Sequence, residues 1–253
     1  MKRWKLFAAL VVPLYIGVVV MAFIITASFS ASTALAQKIS TVQPPDSAPS
    51  PENPYDVNCG NKPPYKSQSA RSRVLLSPDG NREAYAEAKS QWVGSCVNTS
   101  AVFVRAKSSA YELVFLQEPT EEMVGNGVRL IDWSKDGTKL LFEVIRWQDG
   151  SDAGPSNEIW IYDAVTGVFT AVPTQHVLRS FGGGCFTIAE PLGFSATGTV
   201  AVQFLTKQNV DEEGTMVLPK CNKTLSTWLF DPRSNLLTQA RGDQAIQKWG
   251  KIR

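Results

Sequence analysis

From residue 73 onward, apolar and polar residues alternate in short runs that are separated by turn-forming residues. Alternation with a period of two is typical of half-buried β-strands, and few stretches show the helical period. Three segments align on a shared Ser-x-Asp/Thr-Gly turn, which joins an apolar strand to a second, alternating strand. They are residues 74–80 followed by NREAYAEA, 130–137 followed by TKLLFEV, and 191–198 followed by TVAVQFL. The pattern predicts an all-β domain made of a repeated unit.

Each unit continues with a third strand and a short fourth strand. The third strands are predicted at 100–106, 157–163 and 225–231, and the fourth strands at 111–117, 168–173 and 235–239. The turn glycines Gly80, Gly137 and Gly198 are 57 and 61 positions apart, and self-similarity at such a period indicates a repeat architecture. Four antiparallel strands with two partly apolar faces form a propeller blade. We therefore expect a propeller-like array of about three four-stranded antiparallel blades, with a β-sandwich as the alternative.

The turn motifs resemble a known repeat. The segments concerned are SPDG at 77–80, WSKDG at 133–137 and IWIYDAVTG at 159–167. Together they are similar to the repeat of the TolB-type, or PD40 (WD40-like), β-propeller family, over about residues 73–240. The second unit matches best, although Lys135 replaces the proline of the motif. The resemblance implies a propeller fold and protein partners in the cell envelope. It transfers no partner-binding residue, because the motif residues hold the blade together.

The number of predicted blades raises the question of how the array is completed. Closed propellers use four or more blades, and the sequence supplies three repeats. A second copy of the chain could complete the ring as a homodimer. Alternatively, residues 58–72 could form an irregular extra blade, or the blades could form an open stack.

The N-terminal 36 residues have the features of an export signal. Three basic residues within the first five positions precede a long apolar run, and the Ala-Leu-Ala motif at 34–36 predicts cleavage between Ala36 and Gln37. The apolar run is also long enough to span a bilayer, so an uncleaved anchor over residues 6–27 is the alternative. Either interpretation places the remainder of the chain in the periplasm or outside the cell.

Behind the signal, residues 37–57 form a Pro/Ser-rich segment that we interpret as a tether, and residues 58–253 form the propeller-like domain. The full chain carries a formal charge of +2, with 25 basic and 23 acidic residues. Residues 1–36 contain three basic residues and no acidic ones, which leaves −1 for the mature chain. We therefore expect no nucleic-acid partner, and membrane contact only through an uncleaved N-terminal segment.

The four cysteines, Cys59, Cys96, Cys185 and Cys221, contain no C-x-x-C pair, and the chain has one histidine. Structural zinc sites normally use closely spaced pairs, so we expect no metal and favour disulfides in an exported chain. Pairing of sequence neighbours gives Cys59–Cys96 and Cys185–Cys221, with two other connectivities open.

No catalytic motif is complete in the chain. There is no G-x-S-x-G nucleophile turn and no calcium-binding loop. His176, in a predicted loop before a strand, is interpreted as a surface or packed residue. We expect a non-catalytic binding or scaffolding protein without a cofactor. The alternative is an enzyme, or an accessory domain, that acts on an envelope glycan or peptide.

One loop stands out as a candidate binding surface. Arg146, Trp147, Asp149 and Asp152 lie among turn residues between the second and third strands of the second unit. Trp and Arg are enriched in the hot spots of protein interfaces. The alternative interpretation is that Trp147 ends the strand and packs between blades.

Overall fold

The computed structural model describes residues 57–59, 63–148, 156–181, 186–207, 223–241 and 246–253. All of them belong to one of the two compact units of the chain, Gln43–Arg253. Sheet 1 contains β1 (Gln68–Arg71), β2 (Leu75–Leu76), β3 (Arg82–Trp92), β4 (Cys96–Ala106), β5 (Glu112–Gln117) and the C-terminal β14 (Lys251–Ile252). Sheet 2 contains β6 (Gly125–Trp133), β7 (Lys139–Trp147), β8 (Ser156–Asp163) and β9 (Phe169–Ala171). Helix α1 (Gln175–Ser180) precedes sheet 3, which contains β10 (Phe186–Phe194), β11 (Val200–Lys207), β12 (Lys223–Asp231) and β13 (Leu236–Gln239).

The three sheets are antiparallel, and each repeat unit supplies one of them. Sheets 2 and 3 are four-strand meanders in sequence order, and sheet 1 has the order β14-β2-β3-β4-β5, with β1 pairing β3 beside β2. The all-β fold class and the predicted third and fourth strands of each unit are therefore confirmed.

Two local interpretations differ from the structure. In the described part of 58–72, the strand β1 belongs to sheet 1 and forms no separate blade, because it pairs with the outer half of β3 in register Gln68↔Ser90 to Arg71↔Glu87. His176 lies in helix α1 rather than in a loop, and its ring meets the Trp228 ring edge-on at 6.5 Å.

The same turn chemistry recurs at the start of each sheet. In sheet 2, the Ser134 hydroxyl donates to Asp136 at 2.5 Å and accepts the backbone N–H of Lys139 at 2.9 Å. Gly137 then reverses the chain at a φ of 67°. Residues 77–82 repeat both of these bonds. The turn at 195–199 is one residue tighter: the Ser195 hydroxyl bonds the Thr197 hydroxyl and accepts the backbone N–H of Thr199, four positions on. Side-chain acceptors fix these turns, and glycine supplies the positive φ.

Two apolar layers join the sheets. The layer between sheets 1 and 2 includes Leu75, Ala84, Ala86, Val102, Val104, Val128, Trp133, Leu140, Phe142 and Val144. The layer between sheets 2 and 3 includes Leu141, Ile159, Ile161, Val172, Val177, Ala189, Phe194, Val200, Val202, Phe204, Phe230 and Leu237. Sheet 2 is thus buried on both faces, since alternate residues of β7 and β8 enter the two layers.

The outer face of sheet 1, which points away from sheet 2, is polar. Arg71 covers the Tyr85 ring at 4.2 Å, and Arg105 covers the Tyr111 ring at 4.4 Å. Glu83 accepts bonds from Arg105 at 2.6 Å and from the Tyr111 hydroxyl at 2.8 Å. Burial and the bond to Glu83 raise the pKa of Tyr111 to about 12. Such a charged covering is typical of the terminal unit of a repeat array.

We expect Gly137→Ala to lower the free energy of unfolding by about 2–4 kcal/mol. The alanine would have to keep the positive φ of Gly137, and its Cβ would meet Asp79 Oδ1 at 3.0 Å and Ser77 Cβ at 3.2 Å, across the boundary between sheets 1 and 2. Gly167→Ala is the matched control, because Gly167 also has a positive φ but no neighbour within 4 Å. It should lower stability by about 1–2 kcal/mol. Equal urea midpoints for the two variants would contradict the close approach of the turns.

Candidate functional site

The antiparallel meanders give each sheet two distinct ends. The turns β2–β3, β4–β5, β6–β7, β8–β9, β10–β11 and β12–β13 lie at one end of their sheets, which we call the turn end. At the opposite end, which we call the hairpin end, β3 and β7 finish and β4 and β8 begin. Neighbouring sheets contact each other at matching ends. At the turn end, for example, the Arg82 side chain of sheet 1 donates to the carbonyl of Gly137 in sheet 2 over 3.1 Å.

The predicted binding loop begins at the hairpin end. Arg146 and Trp147 are the last residues of β7, and Asp149 and Asp152 lie outside the described residues. Arg146 bonds Glu158 at 2.7 Å, and the Trp147 ring packs against Gly125, its partner in the register of β6 and β7. Both side chains therefore make their contacts within sheet 2: Arg146 pairs with Glu158 on β8, and Trp147 covers Gly125 on β6.

A disulfide between Cys59 and Cys96, with an S–S distance of 2.12 Å, confirms one of the two predicted pairings. Cys185 and Cys221 lie outside the described residues, as do Ala36 and Gln37. The disulfide is consistent with an oxidising compartment and an exported chain. Within the described residues, no helix has the length and apolarity that a membrane span requires.

An exposed aromatic cluster lies beside this disulfide. The rings of Tyr65 and Trp92 stack with centroids 3.7 Å apart, and their relative exposures are 36% and 40%. Val93, at the turn between β3 and β4, is 61% exposed. We call Tyr65, Trp92 and Val93 the aromatic tip. Sequence reasoning did not identify it, because the stack joins residues from two segments that only the fold brings together.

A cleft of ≈470 Å³ opens at the turn end between sheets 2 and 3. Three sequence segments line this turn-end cleft: Ser134–Asp136 with Lys139, Ala196–Gly198, and Pro232 with Arg233. The Arg233 side chain is 79% exposed and contacts Asp231 at 3.1 Å, and Lys139 pairs with Asp163 at 3.2 Å. Lys135 extends over the Trp249 ring at 5.5 Å. The rim of the cleft therefore carries three basic side chains, two of which pair with aspartates.

Carboxylates also gather at the turn end, but the turns themselves use them. Hydrogen bonds from the Ser77 hydroxyl and the Asn81 backbone lower the pKa of Asp79. Burial opposes ionisation of Asp136, but bonds from Ser134 and Thr138 outweigh it and lower the Asp136 pKa. Groups held ionised in this way are poor proton donors. These two aspartates therefore act as structural acceptors and do not fit the role of a general acid.

Among the described residues, two carboxylate side chains are buried, those of Asp132 and Glu143, and Glu143 pairs with Arg129 at 2.7 Å. A bulge in β6 between Leu130 and Asp132 changes the direction of the strand just before its turn. Asp132 Oδ1 accepts the backbone N–H groups of Trp133, Trp249 and Gly250 at 2.9, 3.0 and 2.8 Å. Burial raises the Asp132 pKa, and the backbone bonds and nearby Lys248 oppose that shift.

Asp132 holds the C-terminal residues 246–253, which we call the C-terminal clasp. Within the clasp, the Trp249 indole donates to the carbonyl of Phe194 in sheet 3 at 3.1 Å. Ile252 then pairs with Leu75 in sheet 1. The clasp thus contacts β2 in sheet 1, β6 in sheet 2 and β10 in sheet 3, and it links the three described sheets.

No protein-family model and no curated protein matches the chain. The fold and these surfaces define a class of all-β protein in which three antiparallel sheets are joined by a C-terminal clasp.

Proposed function

We propose that the chain is an exported, non-catalytic binding protein that holds envelope partner proteins in the turn-end cleft. The cleft is the observation that carries this proposal. Ligand sites are concave and typically enclose about 300–1,000 Å³, and the turn-end cleft has ≈470 Å³ between two sheets. Its walls are turns fixed by internal hydrogen bonds, so a partner would meet a preformed surface.

The charges on the rim indicate the chemistry of the partner segment. Lys135 and Arg233 are exposed, and the contact of Arg233 with Asp231 is a surface ion pair of the kind that contributes little energy. The carboxylate of Asp136 already accepts bonds from Ser134 and Thr138. An acidic segment of a partner protein would therefore pair with Lys135 and compete with Asp231 for the exposed Arg233 side chain.

Export and the repeat motif support the same function. The N-terminal signal would deliver the chain to the compartment in which the Cys59–Cys96 disulfide is stable. The TolB-type motif resemblance implies envelope partners, although a shared architecture does not by itself transfer a function. Together with the cleft, these features favour binding over catalysis.

We expect the double variant Lys135→Glu/Arg233→Glu to bind its envelope partner on the order of tenfold more weakly, because reversal of both charges repels an acidic segment. The partner is first identified by a photo-reactive amino acid placed at position 135 of the full chain in living cells. The same photo-reactive group at position 107 is the control, since Lys107 lies in a turn of sheet 1 at the same end. Affinity is then measured with the purified partner.

Equal binding by the double variant and by Lys107→Glu would contradict the proposed role of the cleft. Cross-links from position 107 as strong as those from position 135 would also contradict the proposed role of the cleft. Hydrolysis of an envelope glycan or peptide by the purified chain would overturn the non-catalytic assignment.

A further inference from the structure

The C-terminal clasp reaches the rim of the turn-end cleft through Trp249. The half-buried Trp249 ring packs against the apolar layer between sheets 2 and 3, and its indole N–H donates to the carbonyl of Phe194 at 3.1 Å. Its backbone N–H donates to Asp132 at 3.0 Å. Lys135, which lines the cleft, extends over the ring with its ammonium 5.5 Å from the centroid. The clasp therefore places an aromatic surface beside a cation of the cleft.

Lys135 differs from the other two basic residues of the cleft. Those two pair with aspartates, Lys139 with Asp163 and Arg233 with Asp231. Lys135 is exposed, and among the described residues it has no carboxylate within ion-pair distance, so the Trp249 ring is its partner instead. An aromatic face attracts an ammonium without neutralising it and leaves N–H donors of the ammonium available. The ring thus positions a cation that a ligand can still use.

The number of charges does not by itself make the cleft a site for anions. Two of its cations are paired, and Asp136 lies next to Lys135 in the chain, where it accepts bonds from Ser134 and Thr138. With these groups counted, the cleft is close to neutral. Binding of an acidic segment therefore depends on how Lys135 is directed, and the Trp249 ring directs it.

We propose that Trp249 is a positioning residue of the turn-end cleft, and that docking of the clasp and binding of an acidic segment reinforce each other. This coupling rests on the proposed function of the cleft. While the clasp is docked, the ring holds Lys135 at the rim. When the clasp leaves, Lys135 samples other rotamers, and the affinity falls with the fraction of molecules in the competent orientation.

Linkage requires the reverse effect by the same factor, so a bound acidic segment favours the docked clasp. The C-terminal residues would thus regulate a site without lining it, because the link passes through the contact between Lys135 and Trp249.

The test compares two variants of the full chain, Trp249→Phe and Trp249→Leu. Both lose the indole bond to Phe194, but only the phenylalanine keeps an aromatic face for Lys135. The probe is a synthetic tetraglutamate peptide, and a tetraglutamine peptide is the control for its charge. In NMR titrations, we expect Trp249→Leu to bind tetraglutamate about two- to fivefold more weakly than Trp249→Phe. Lys107→Glu, in a turn of sheet 1, should bind as the wild type does.

Amide hydrogen exchange at residues 250–252 measures the reciprocal effect. Saturating tetraglutamate should slow this exchange by the same factor of about two to five in the wild type and in Trp249→Phe. It should leave the exchange unchanged in Trp249→Leu. A purely structural role of Trp249 would not give this difference, because both substitutions remove the same hydrogen bond.

The outcomes separate the coupling from the function of the cleft. If the wild type binds tetraglutamate and tetraglutamine equally, the cleft does not select acidic segments, and both proposals are overturned. If the wild type prefers tetraglutamate but the two Trp249 variants bind it equally, only the coupling is overturned. Exchange at residues 250–252 that does not respond to bound tetraglutamate in the wild type would also overturn the coupling and leave the cleft its proposed function.

Discussion

Asp132→Ala is expected to lower the free energy of unfolding by about 2–4 kcal/mol, because it removes the acceptor of one buried and two half-buried backbone N–H groups. Two of these groups belong to the C-terminal clasp, at Trp249 and Gly250, and both bond the same carboxylate oxygen. Removal of the buried charge offsets part of this loss. The clasp should then detach from β6, and β14 should lose its pairing with β2.

Urea unfolding and hydrogen exchange at residues 249–252 measure these two effects. Asp132→Asn is the informative control, since its Oδ1 can still accept all three bonds, and it should retain most of the stability. Asp231→Ala removes an aspartate from an exposed turn and should change the midpoint little. If Asp132→Ala unfolds at the wild-type midpoint with a protected C-terminus, the clasp does not depend on Asp132.

Trp133→Ala is expected to lower stability by about 3–5 kcal/mol. Trp133 is fully buried in the layer between sheets 1 and 2, and its indole N–H donates to the carbonyl of Leu75 at 3.0 Å. The substitution would create a cavity and would also leave that carbonyl without this donor. Because sheet 2 connects the other two sheets, a defect in this layer should weaken the whole array.

Trp133→Phe separates the two contributions. It retains most of the packing and loses the bond to Leu75, so we expect a loss of about 1–2 kcal/mol in urea unfolding. Trp92→Ala provides a tryptophan control at the exposed tip, where the loss should be smaller than in either Trp133 variant. An equal loss for Trp133→Phe and Trp133→Ala would show that packing of the ring is unimportant, contrary to its complete burial.

Much of the fold follows from patterns within short segments. The alternation along 139–147 and the Ser-x-Asp-Gly turn before it are local properties, and within sheets 2 and 3 each strand pairs with its neighbour in sequence. The Cys59–Cys96 disulfide was predicted because the two cysteines are neighbours in the sequence order of the four. The sequence left the place of 58–72 open, because a short strand with weak alternation can pair with an existing sheet as readily as it can start a new one.

The candidate sites were less accessible to sequence reasoning. Arg146 and Trp147 attracted attention by residue type, but the ion pair with Glu158 and the contact with Gly125 engage both within sheet 2. The turn-end cleft joins Lys135 to Arg233, which come from different repeat units. No local pattern marks such a pair, because the cleft exists only after two sheets have packed against each other.

By itself, the sequence determined the all-β class, the three repeat units, their turns and one disulfide, since period and turn chemistry act over a few residues. Only the tertiary structure decided how the units are held together and what they expose. The pairing of Ile252 with Leu75, the bonds of Asp132 to the clasp, and the stack of Tyr65 on Trp92 join segments that are separate in the chain. The free energy of such contacts depends on burial and distance in the folded state, and neither is encoded in a local pattern.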